Sequence, residues 1–269
     1  MMAQINTAII GAGRIGQLHA DNLMEAEEFH LTAIADVFTD HLKGTKYEAA
    51  ADYITDEPTA IFKDDSIDAV FICSSTDTHV DFIKQAADAG KHVFCEKPVS
   101  FSLIDSKEGV EAAEKSGVVF QVGFNRRFDK HFRKVKETVS SKRIGDPHIV
   151  KISSRDPEPP PEEYIPRSGG MFMDMTIHDF DMLRFLTDKD VKDIQVNAAQ
   201  LVDERFKRTG DIDTAILTVT FSDGAIGVID NSRQAVYGYD QRIEVFGSEG
   251  AVSADNEATT NVTIQTKDA

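Results

Sequence analysis

Short apolar runs alternate with amphipathic helical periods over the first 123 residues. The runs are INTAIIGAG, LTAIADV, IDAVFICSS, KHVFCEKP and VVFQVGF. Helices are predicted between them, starting at Arg14, near 40–51, over 76–89 and over 102–115. Fully apolar strands that alternate with helices indicate a parallel sheet with both faces covered.

The pattern changes after a further predicted helix at 129–140. Longer runs follow, and they are PHIVKISSRD, DIQVNAAQLVD, DTAILTVTFSDGAIGVIDNSRQ, QRIEVFGSEGAVSADN and NVTIQT. Every second residue from Ala215 to Phe221 is apolar, and Asp223–Gly224 supplies a hairpin turn. The second half is therefore predicted to form a mostly antiparallel sheet. PEPPPEEYIP is predicted as an extended loop before a helix within 169–182.

Composition narrows the classes of protein and partner. The 269 residues can build two domains with real cores, and the formal charge of −17 disfavours nucleic acid and anionic membranes. The N-terminus lacks a signal-peptide pattern and no apolar stretch approaches the roughly 20 residues that span a bilayer, so we expect a cytoplasmic protein. Cys73 and Cys95 lie in apolar runs, which favours small buried hydrophobes over a disulfide or metal ligands.

A G-x-G-x-x-G motif stands at the first strand-to-helix turn. Gly11, Gly13 and Gly16 follow a predicted strand and open a predicted helix, which lets a pyrophosphate approach the backbone. Asp36 ends the second strand about 20 residues later, where a carboxylate binds a ribose 2′-hydroxyl and repels a 2′-phosphate. NAD is therefore the predicted cofactor, in preference to NADP. A glycine-rich turn without a ligand is the alternative.

Further cofactor contacts are predicted at the carboxyl ends of the next strands. Ser74, Ser75 and Thr76 follow a central strand and are expected to border the nicotinamide, although a helix cap at Thr76 explains them almost as well. The other predicted cofactor residues are Arg14, Ile15, His79, Glu96 and Lys97. Residues 1–124 are thus predicted to form an NAD-binding Rossmann domain, doubly wound and of the α/β class.

Asp174 and His178 are polar residues on an otherwise apolar helix. Positions i and i+4 share a helix face, so both side chains can point into one cleft. The helix is predicted to be anchored in the core by Phe172, Met175, Met182, Leu183 and Leu186. Gly169–Gly170 would let the backbone turn closely past a ligand before the helix begins.

Other readings of these residues stay open on the pattern alone. Asp174 and His178, with Asp179 and Asp181 nearby, could hold a metal, although no further histidine or cysteine lies at ligand spacing. Asp174 and His178 could also be a buried pair without a catalytic role. Lys97, at the end of its strand in CEKP, could be catalytic or simply solvated.

Three motifs together resemble those of the glucose-fructose oxidoreductase, inositol dehydrogenase and rhizopine catabolism family. They are G-x-G-x-x-G, EKP at 96–98 and GG-x-F-x-D-M-x-x-H-D-x-D-M at 169–182. The likeness covers nearly the whole chain, and GFNRRFD, SSRDPEPPPEEYI and NSRQAVYGYDQRIEVFG are similar to the inositol dehydrogenase branch. The resemblance implies an NAD-dependent oxidoreductase that converts myo-inositol to its 2-keto product in inositol catabolism. Scyllo-inositol, another polyol or aldose, and a non-catalytic NAD-binding regulator are the alternatives.

The resemblance also implies roles for individual residues. Lys97, Asp174 and His178 match the catalytic triad of the family, and no metal is implied. Histidine suits proton transfer because its unperturbed pKa is near 6.5. We therefore predict that His178 is the general base, that Asp174 orients it and that Lys97 hydrogen-bonds the reacting oxygen. Lys97 is the alternative first acceptor of the hydroxyl proton. The predicted substrate-binding residues are these three with Arg127, Asp156 and Tyr237. On the residues alone, Arg127 could instead cap carbonyls, Asp156 could start a turn before Pro157 and Tyr237 could lie in a loop.

Finally, the resemblance implies an assembly. Members of the family commonly pair the sheets of their second domains in dimers and tetramers. They also continue for several dozen residues, with helices that pack on the nucleotide-binding domain. Residues 125–269 are thus predicted to be an α+β domain for substrate binding and oligomerisation that lacks those helices. The expected partners are a small polyol and further copies of the chain, with no nucleic acid and no membrane.

Overall fold

The computed structural model of the protein describes residues 4–257. The chain divides after Phe124 into two compact units, 1–124 and 125–269. Among the described residues, none of the helices combines the length and the apolar character needed to cross a membrane.

The first unit is a parallel six-stranded sheet with helices on both faces. Its strands are β1 Ile5–Ile10, β2 Phe29–Ala35, β3 Tyr53–Thr55, β4 Ala69–Ile72, β5 His92–Cys95 and β6 Phe120–Val122. Its helices are α1 Arg14–Glu25, α2 Lys46–Ala50, α3 Pro58–Lys63, α4 Thr76–Asp88 and α5 Leu103–Ser116. Two apolar cores, one on each face of the sheet, confirm the predicted doubly wound arrangement.

The strand order in this sheet is β3-β2-β1-β4-β5-β6. The chain reverses its direction of winding between β1 and β4, and in such sheets the crevice outside the carboxyl ends of those two strands binds the ligand. The loops after β1 and β4 therefore carry the expected cofactor site.

Three short elements of this unit differ from the sequence prediction. The helix predicted near 40–51 is a 3₁₀ turn, Asp40–Leu42, followed by the separate helix α2. Gly44 adopts a φ of 69° between them, which ends the helical path. Strand β3 and helix α3 were not predicted, because segments of this length carry too few residues to show a period.

The second unit has a six-stranded sheet with helices against one face. Its strands are β7 Pro147–Arg155, β8 Val191–Ala199, β9 Thr214–Phe221, β10 Ile226–Ser232, β11 Asp240–Gly247 and β12 Ala251–Ala254. Its helices are α6 Lys130–Ser140, α7 Ile177–Thr187 and α8 Glu204–Thr209. Shorter elements are 3₁₀ turns at Asn125–Phe128 and Ile165–Arg167 and a π-helical turn at Phe172–Thr176.

The sheet order β12-β11-β7-β10-β9-β8 is antiparallel except between β7 and β10. The predicted mostly antiparallel sheet is confirmed. In β9, alternate residues from Ala215 to Phe221 are at most 2% exposed and pack in the core beneath α6 and α7. On the opposite face Ile216, Ile226 and Phe246 are 45%, 46% and 48% exposed. One face of this sheet therefore carries the core and the other presents apolar side chains to solvent.

One prediction for this unit needs correction, one helix was not predicted and one predicted strand cannot be compared. PEPPPEEYIP is extended only at its start, because residues 162–164 form a turn that leads into the 3₁₀ turn Ile165–Arg167. Helix α8 was not predicted; Asp203 caps it by accepting a hydrogen bond from the backbone N–H of Arg205. The predicted strand NVTIQT lies outside the described residues.

Candidate active site

The three glycines of the first loop serve three different physical purposes. Gly11 has a φ of 94°, and a Cβ there would lie 2.5 Å from the backbone nitrogen of Ser74, so only glycine lets the β1 loop meet the β4 loop. A Cβ on Gly16 would lie 1.9 Å from the backbone oxygen of Gly11, which requires glycine where helix α1 packs on its own loop. A Cβ on Gly13 would have no heavy atom of the described chain within 4 Å. Gly13 is therefore the position whose outer side is open to a ligand.

Asp36 is joined to this glycine loop. Its carboxylate accepts hydrogen bonds from the backbone N–H of Ala12, at 2.6 Å, and of Phe38, at 2.8 Å. Each carboxylate oxygen has a further lone pair with which to accept from a ribose hydroxyl. The open face at Gly13, the N-terminus of α1 and the fixed acidic side chain of Asp36 together fit NAD.

The loop after β4 is tied to the loop after β5. His79 is 1% exposed, with Nδ1 2.8 Å from the carbonyl oxygen of Pro98 and Nε2 3.0 Å from that of Ser74. Because both ring nitrogens face carbonyls of the unit itself, His79 supports the two loops. Ser75 is the N-cap residue of α4, without a side-chain cap bond, and Thr76 is the first helical residue. Thr76 is therefore not the helix cap that the sequence offered as an alternative.

The EKP segment directly follows β5. Glu96 accepts from the backbone N–H of Lys97 at 3.1 Å, and one of its carboxylate oxygens lies 2.8 Å from Nε2 of His19. Lys97 is half-buried, and its peptide bond to Pro98 is cis. Glu96 thus helps to fix the backbone that carries the lysine.

The remaining predicted cofactor residues occupy different positions. Arg14 is exposed at the start of α1, and Ile15 is half-buried beside it. Cys73 and Cys95, next to the two loops, are free thiols whose pKa values burial raises. The cysteines therefore behave as small apolar residues, as the sequence predicts.

Gly169 and Gly170 introduce the helix that carries Asp174 and His178. Their φ angles are 78° and 76°, in the left-handed region that favours glycine. A Cβ on Gly170 would lie 2.8 Å from Oδ1 of Asp211, and that carboxylate accepts from the backbone N–H of Met171 at 3.1 Å. The close approach that these glycines permit in the structure is therefore to the capping carboxylate of Asp211.

Asp174 lies in the π-helical turn Phe172–Thr176, and His178 lies one residue into α7. Met175, Met182, Leu183 and Leu186 are buried in the core and Phe172 packs against it, so the predicted anchors are confirmed. Single π-helical turns within α-helices often occur at functional sites. The core thus fixes one side of this helix while Asp174 and His178 stay half-buried.

The Asp174 carboxylate is bound on both oxygens. Oδ1 accepts from the hydroxyl of Tyr164 at 3.0 Å, and Oδ2 lies 3.0 Å from the guanidinium of Arg233. Arg233 also contacts Oδ2 of Asp156 at 3.2 Å. Burial raises the pKa of Asp156, the positive charge of Arg233 opposes that rise and Asp174 adds to it. The structure therefore brings together two predicted site residues, Asp156 and Asp174, through an arginine that was not predicted.

A second polar network is built around Asp179, the residue that follows His178 in the chain. Asp179 is fully buried and accepts from Arg126 at 2.5 Å, from the hydroxyl of Ser154 at 2.6 Å and from the amide of Asn231 at 2.8 Å. Asn231 in turn accepts from the hydroxyl of Thr176 at 2.6 Å. This Asp179 network joins α7, the π-helical turn and two strands of the sheet.

The other two predicted substrate residues are found in ion-pair and hydrogen-bond networks. Arg127 forms a bidentate pair with Asp181, at 2.8 and 2.5 Å. Tyr237 is 65% exposed, and its hydroxyl donates to Asp240 at 2.8 Å. Burial opposes ionisation of Asp240, but hydrogen bonds from its neighbours, including Tyr237, lower its pKa to about 2. Both residues are thus held by acidic partners of their own unit.

Sequence reasoning missed Arg233, Tyr164, Arg126 and Asp179. Arg233 directly follows strand β10 in NSRQ and is 3% exposed, and nothing in the local sequence distinguishes it from an exposed arginine. Tyr164 lies in the proline-rich loop and carries no local signal. Among the described residues, no group of three His, Cys, Asp or Glu side chains is arranged to hold a metal ion.

Two family domains match the two units. Residues 5–124 match the oxidoreductase family with an NAD-binding Rossmann fold, and residues 132–253 match the GFO/IDH/MocA C-terminal domain. The chain belongs to the GFO/IDH/MocA oxidoreductase family. It is thus an oxidoreductase whose cofactor is NAD, as the glycine loop and Asp36 predict.

Similar proteins are known in bacteria. The chain is 49% identical to a myo-inositol 2-dehydrogenase of Thermotoga maritima over 95% of this chain and 77% of that protein. It is 36% identical to a scyllo-inositol 2-dehydrogenase (NAD(+)) of Bacillus subtilis over 98% of this chain and 78% of that one. A solved structure of a probable dehydrogenase from Thermotoga maritima superposes with a TM-score of 0.93 at 47% identity, covering 98% of this chain and 79% of that one.

The contrast between Gly13 and Gly16 gives a testable prediction. Gly16→Ala should lower the thermal stability strongly, because its methyl group would collide with the backbone of Gly11. Gly13→Ala should change the melting temperature little but weaken NAD binding by about tenfold, because the methyl group occupies the space into which a pyrophosphate fits. Thermal unfolding with and without NAD measures both effects. Equal NAD affinity for Gly13→Ala and the wild type would show that the pyrophosphate does not approach Gly13.

Proposed function

We propose that this protein oxidises myo-inositol to its 2-keto product with NAD. The reaction would serve inositol catabolism in the cytoplasm, where NAD is available. The observation that carries the proposal is the presence of Lys97, Asp174 and His178 together with the cofactor loop in one chain. A myo-inositol 2-dehydrogenase at 49% identity supports this choice of substrate.

Oxidation of a secondary alcohol removes the hydroxyl proton and a hydride from the same carbon. When bound, NAD supplies the hydride acceptor. We assign His178 as the general base that takes the hydroxyl proton and Lys97 as the donor that stabilises the negative charge developing on that oxygen. The C–H bond breaks as hydride leaves for the cofactor, and the O–H bond breaks as the proton passes to the imidazole of His178. The carbon and oxygen are left as a carbonyl group.

We assign two roles to the Asp174 carboxylate. It orients the imidazole of His178, and its negative charge favours the protonated form that this imidazole takes during the reaction. Its two oxygens are already bound by Tyr164 and Arg233, so the carboxylate is fixed before any substrate arrives. Such preorganisation lowers the cost of reaching the transition state.

A polyol ring with a hydroxyl on every carbon needs many paired donors and acceptors. We assign Arg127, Asp156 and Tyr237 to these hydroxyls, beside the catalytic residues. Asp156 is the best supported of the three, because it shares Arg233 with Asp174. Arg127 and Tyr237 would have to bind substrate in addition to Asp181 and Asp240.

We further propose that the exposed apolar face of the second sheet pairs with a second copy of the chain in a dimer or tetramer. Its exposed side chains include Ile216, Ile226 and Phe246. Apolar patches of this kind on a protein surface mark association sites. Analytical ultracentrifugation of the purified protein would measure its oligomeric state. A monomer at the concentration used in the activity assay would contradict the proposal.

Initial rates of NADH formation test the reaction and the substrate together. The purified protein is incubated with NAD or NADP and with myo-inositol, scyllo-inositol, D-chiro-inositol or glucose. We expect the highest kcat/KM with NAD and myo-inositol. A higher kcat/KM with scyllo-inositol would keep the proposed hydride transfer and change the proposed substrate to that named for the Bacillus subtilis relative. NAD binding without turnover of any polyol would support a non-catalytic regulator instead.

A further inference from the structure

Arg233 occupies an unusual position at the end of β10. It is 3% exposed, and its backbone N–H donates to the carbonyl oxygen of Asp213 at 2.8 Å. Its Nη1 lies 3.0 Å from Oδ2 of Asp174 and 3.2 Å from Oδ2 of Asp156. One guanidinium nitrogen therefore bridges two carboxylates that come from different segments of the chain.

The two carboxylates need a positive charge between them to stay ionised and close together. Two carboxylates that approach one nitrogen repel each other, and burial penalises their ionised forms. Arg233 and Arg126 favour the ionised form of Asp156, whereas burial and Asp174 oppose it. Without Arg233 the carboxylates would have to move apart or one of them would take up a proton.

The guanidinium is used below its hydrogen-bonding capacity. Its Nε–H is buried and has no hydrogen-bond partner among the described residues. Buried polar groups usually have partners, so a donor left unsatisfied has a cost. A protein tolerates an unsatisfied buried donor where the side chain is held in place for another interaction. For Arg233 that interaction is the contact of Nη1 with the carboxylates of Asp174 and Asp156.

We propose that Arg233 is a positioning residue of the dehydrogenase, which holds the catalytic carboxylate of Asp174 and the polyol-binding carboxylate of Asp156 at a fixed separation and both ionised. The proposal rests on the function proposed above. In this role Arg233 acts through the two aspartates, and Tyr164 holds the other oxygen of Asp174.

The test compares Arg233→Met with Arg233→Lys. Methionine keeps much of the side-chain volume and removes the charge, whereas lysine keeps the charge and loses the planar fork. Arg205→Met is the matched control, because Arg205 also pairs with an aspartate, Asp203, and donates to a backbone carbonyl in the same unit. The readouts are kcat and KM for the polyol, the dissociation constant for NAD and the melting temperature as a function of pH.

We expect Arg233→Met to lower kcat about a hundredfold, the usual effect of a misplaced catalytic group, with little change in NAD affinity. The kcat of Arg233→Lys should be about tenfold higher than that of Arg233→Met, and Arg205→Met should keep the wild-type kcat. A folded Arg233→Met protein with the kcat of the wild type would overturn the proposal and leave Arg233 with a structural role.

The pH dependence of stability tests the bridge independently of activity. Loss of Arg233 should raise the pKa of Asp156 in the folded protein further above its unfolded value. A raised folded pKa means stability that is present at low pH and is lost as pH rises through that value. The melting temperature of Arg233→Met should therefore fall further below the wild type at about pH 7 than at about pH 4.

Adding Asp156→Asn to Arg233→Met should remove most of that pH-dependent loss, because one of the two repelling charges is gone. A melting-temperature difference that does not vary with pH would overturn the bridge. If the wild type oxidises no polyol while this pH pattern appears, the proposed function fails and the bridge between the two carboxylates stands.

Discussion

Replacing His178 by alanine is expected to lower the turnover number about a thousandfold while the affinity for NAD is unchanged. A positioned general base contributes factors of about 10²–10⁴ to such proton transfers, and alanine has no group that can accept the hydroxyl proton. Lys97→Met should have an effect of similar size, because the oxygen that develops negative charge loses its donor.

The measurement is steady-state turnover with the preferred polyol, together with calorimetric titration of NAD and a thermal unfolding curve. His148→Ala is the control, because His148 is exposed on strand β7. If the folded His178→Ala and Lys97→Met proteins both kept near-normal turnover, neither residue would be catalytic and the assignment would be wrong.

Replacing Asp179 by alanine is expected to reduce the free energy of unfolding by about 3–5 kcal/mol, because it leaves the Arg126 guanidinium buried without its charge partner. The side chain of Arg126 is only 10% exposed, so water cannot replace the lost carboxylate. The hydroxyl of Ser154 and the amide of Asn231 lose their acceptor at the same time. Turnover should fall as well, since Asp179 fixes the first turn of α7 beside His178.

Asp181→Ala is the matched control for this stability change. Asp181 lies two residues further along α7 and pairs with Arg127, whose side chain is 44% exposed. Since water can solvate that arginine, the loss should be about 1 kcal/mol or less. Chemical denaturation of the two variants measures both values. Equal losses would mean that the buried Asp179 network does not stabilise the unit more than the partly exposed Asp181–Arg127 pair does.

The sequence predicted the cofactor half of the protein more completely than the substrate half. The glycine motif and Asp36 act through backbone geometry within one strand–helix–strand segment, so their spacing along the chain contains the relevant information. The structure adds that Gly13 is the open position and that Gly11 and Gly16 are required by packing. Spacing alone does not separate these purposes.

The surroundings of Asp174 could not be read from the sequence, because they depend on contacts between distant segments. Tyr164 comes from a proline-rich loop and Arg233 from the end of a strand, and neither position has a periodic or motif signal. The π-helical turn was also hidden, since its apolar residues fit an ordinary helical period. Arg126 and Arg127 are adjacent in sequence, yet Arg126 enters a buried network whereas Arg127 stays largely exposed and pairs with Asp181.

Transfer of deuterium from myo-inositol labelled at carbon 2 tests the central claim most directly. The wild-type protein is incubated with NAD and the labelled polyol, and the cofactor is analysed by mass spectrometry. We predict NADH that carries one deuterium and forms more slowly than from unlabelled myo-inositol. NADH without deuterium, or protein that binds NAD and forms no NADH from this polyol, would contradict the assignment as a myo-inositol 2-dehydrogenase.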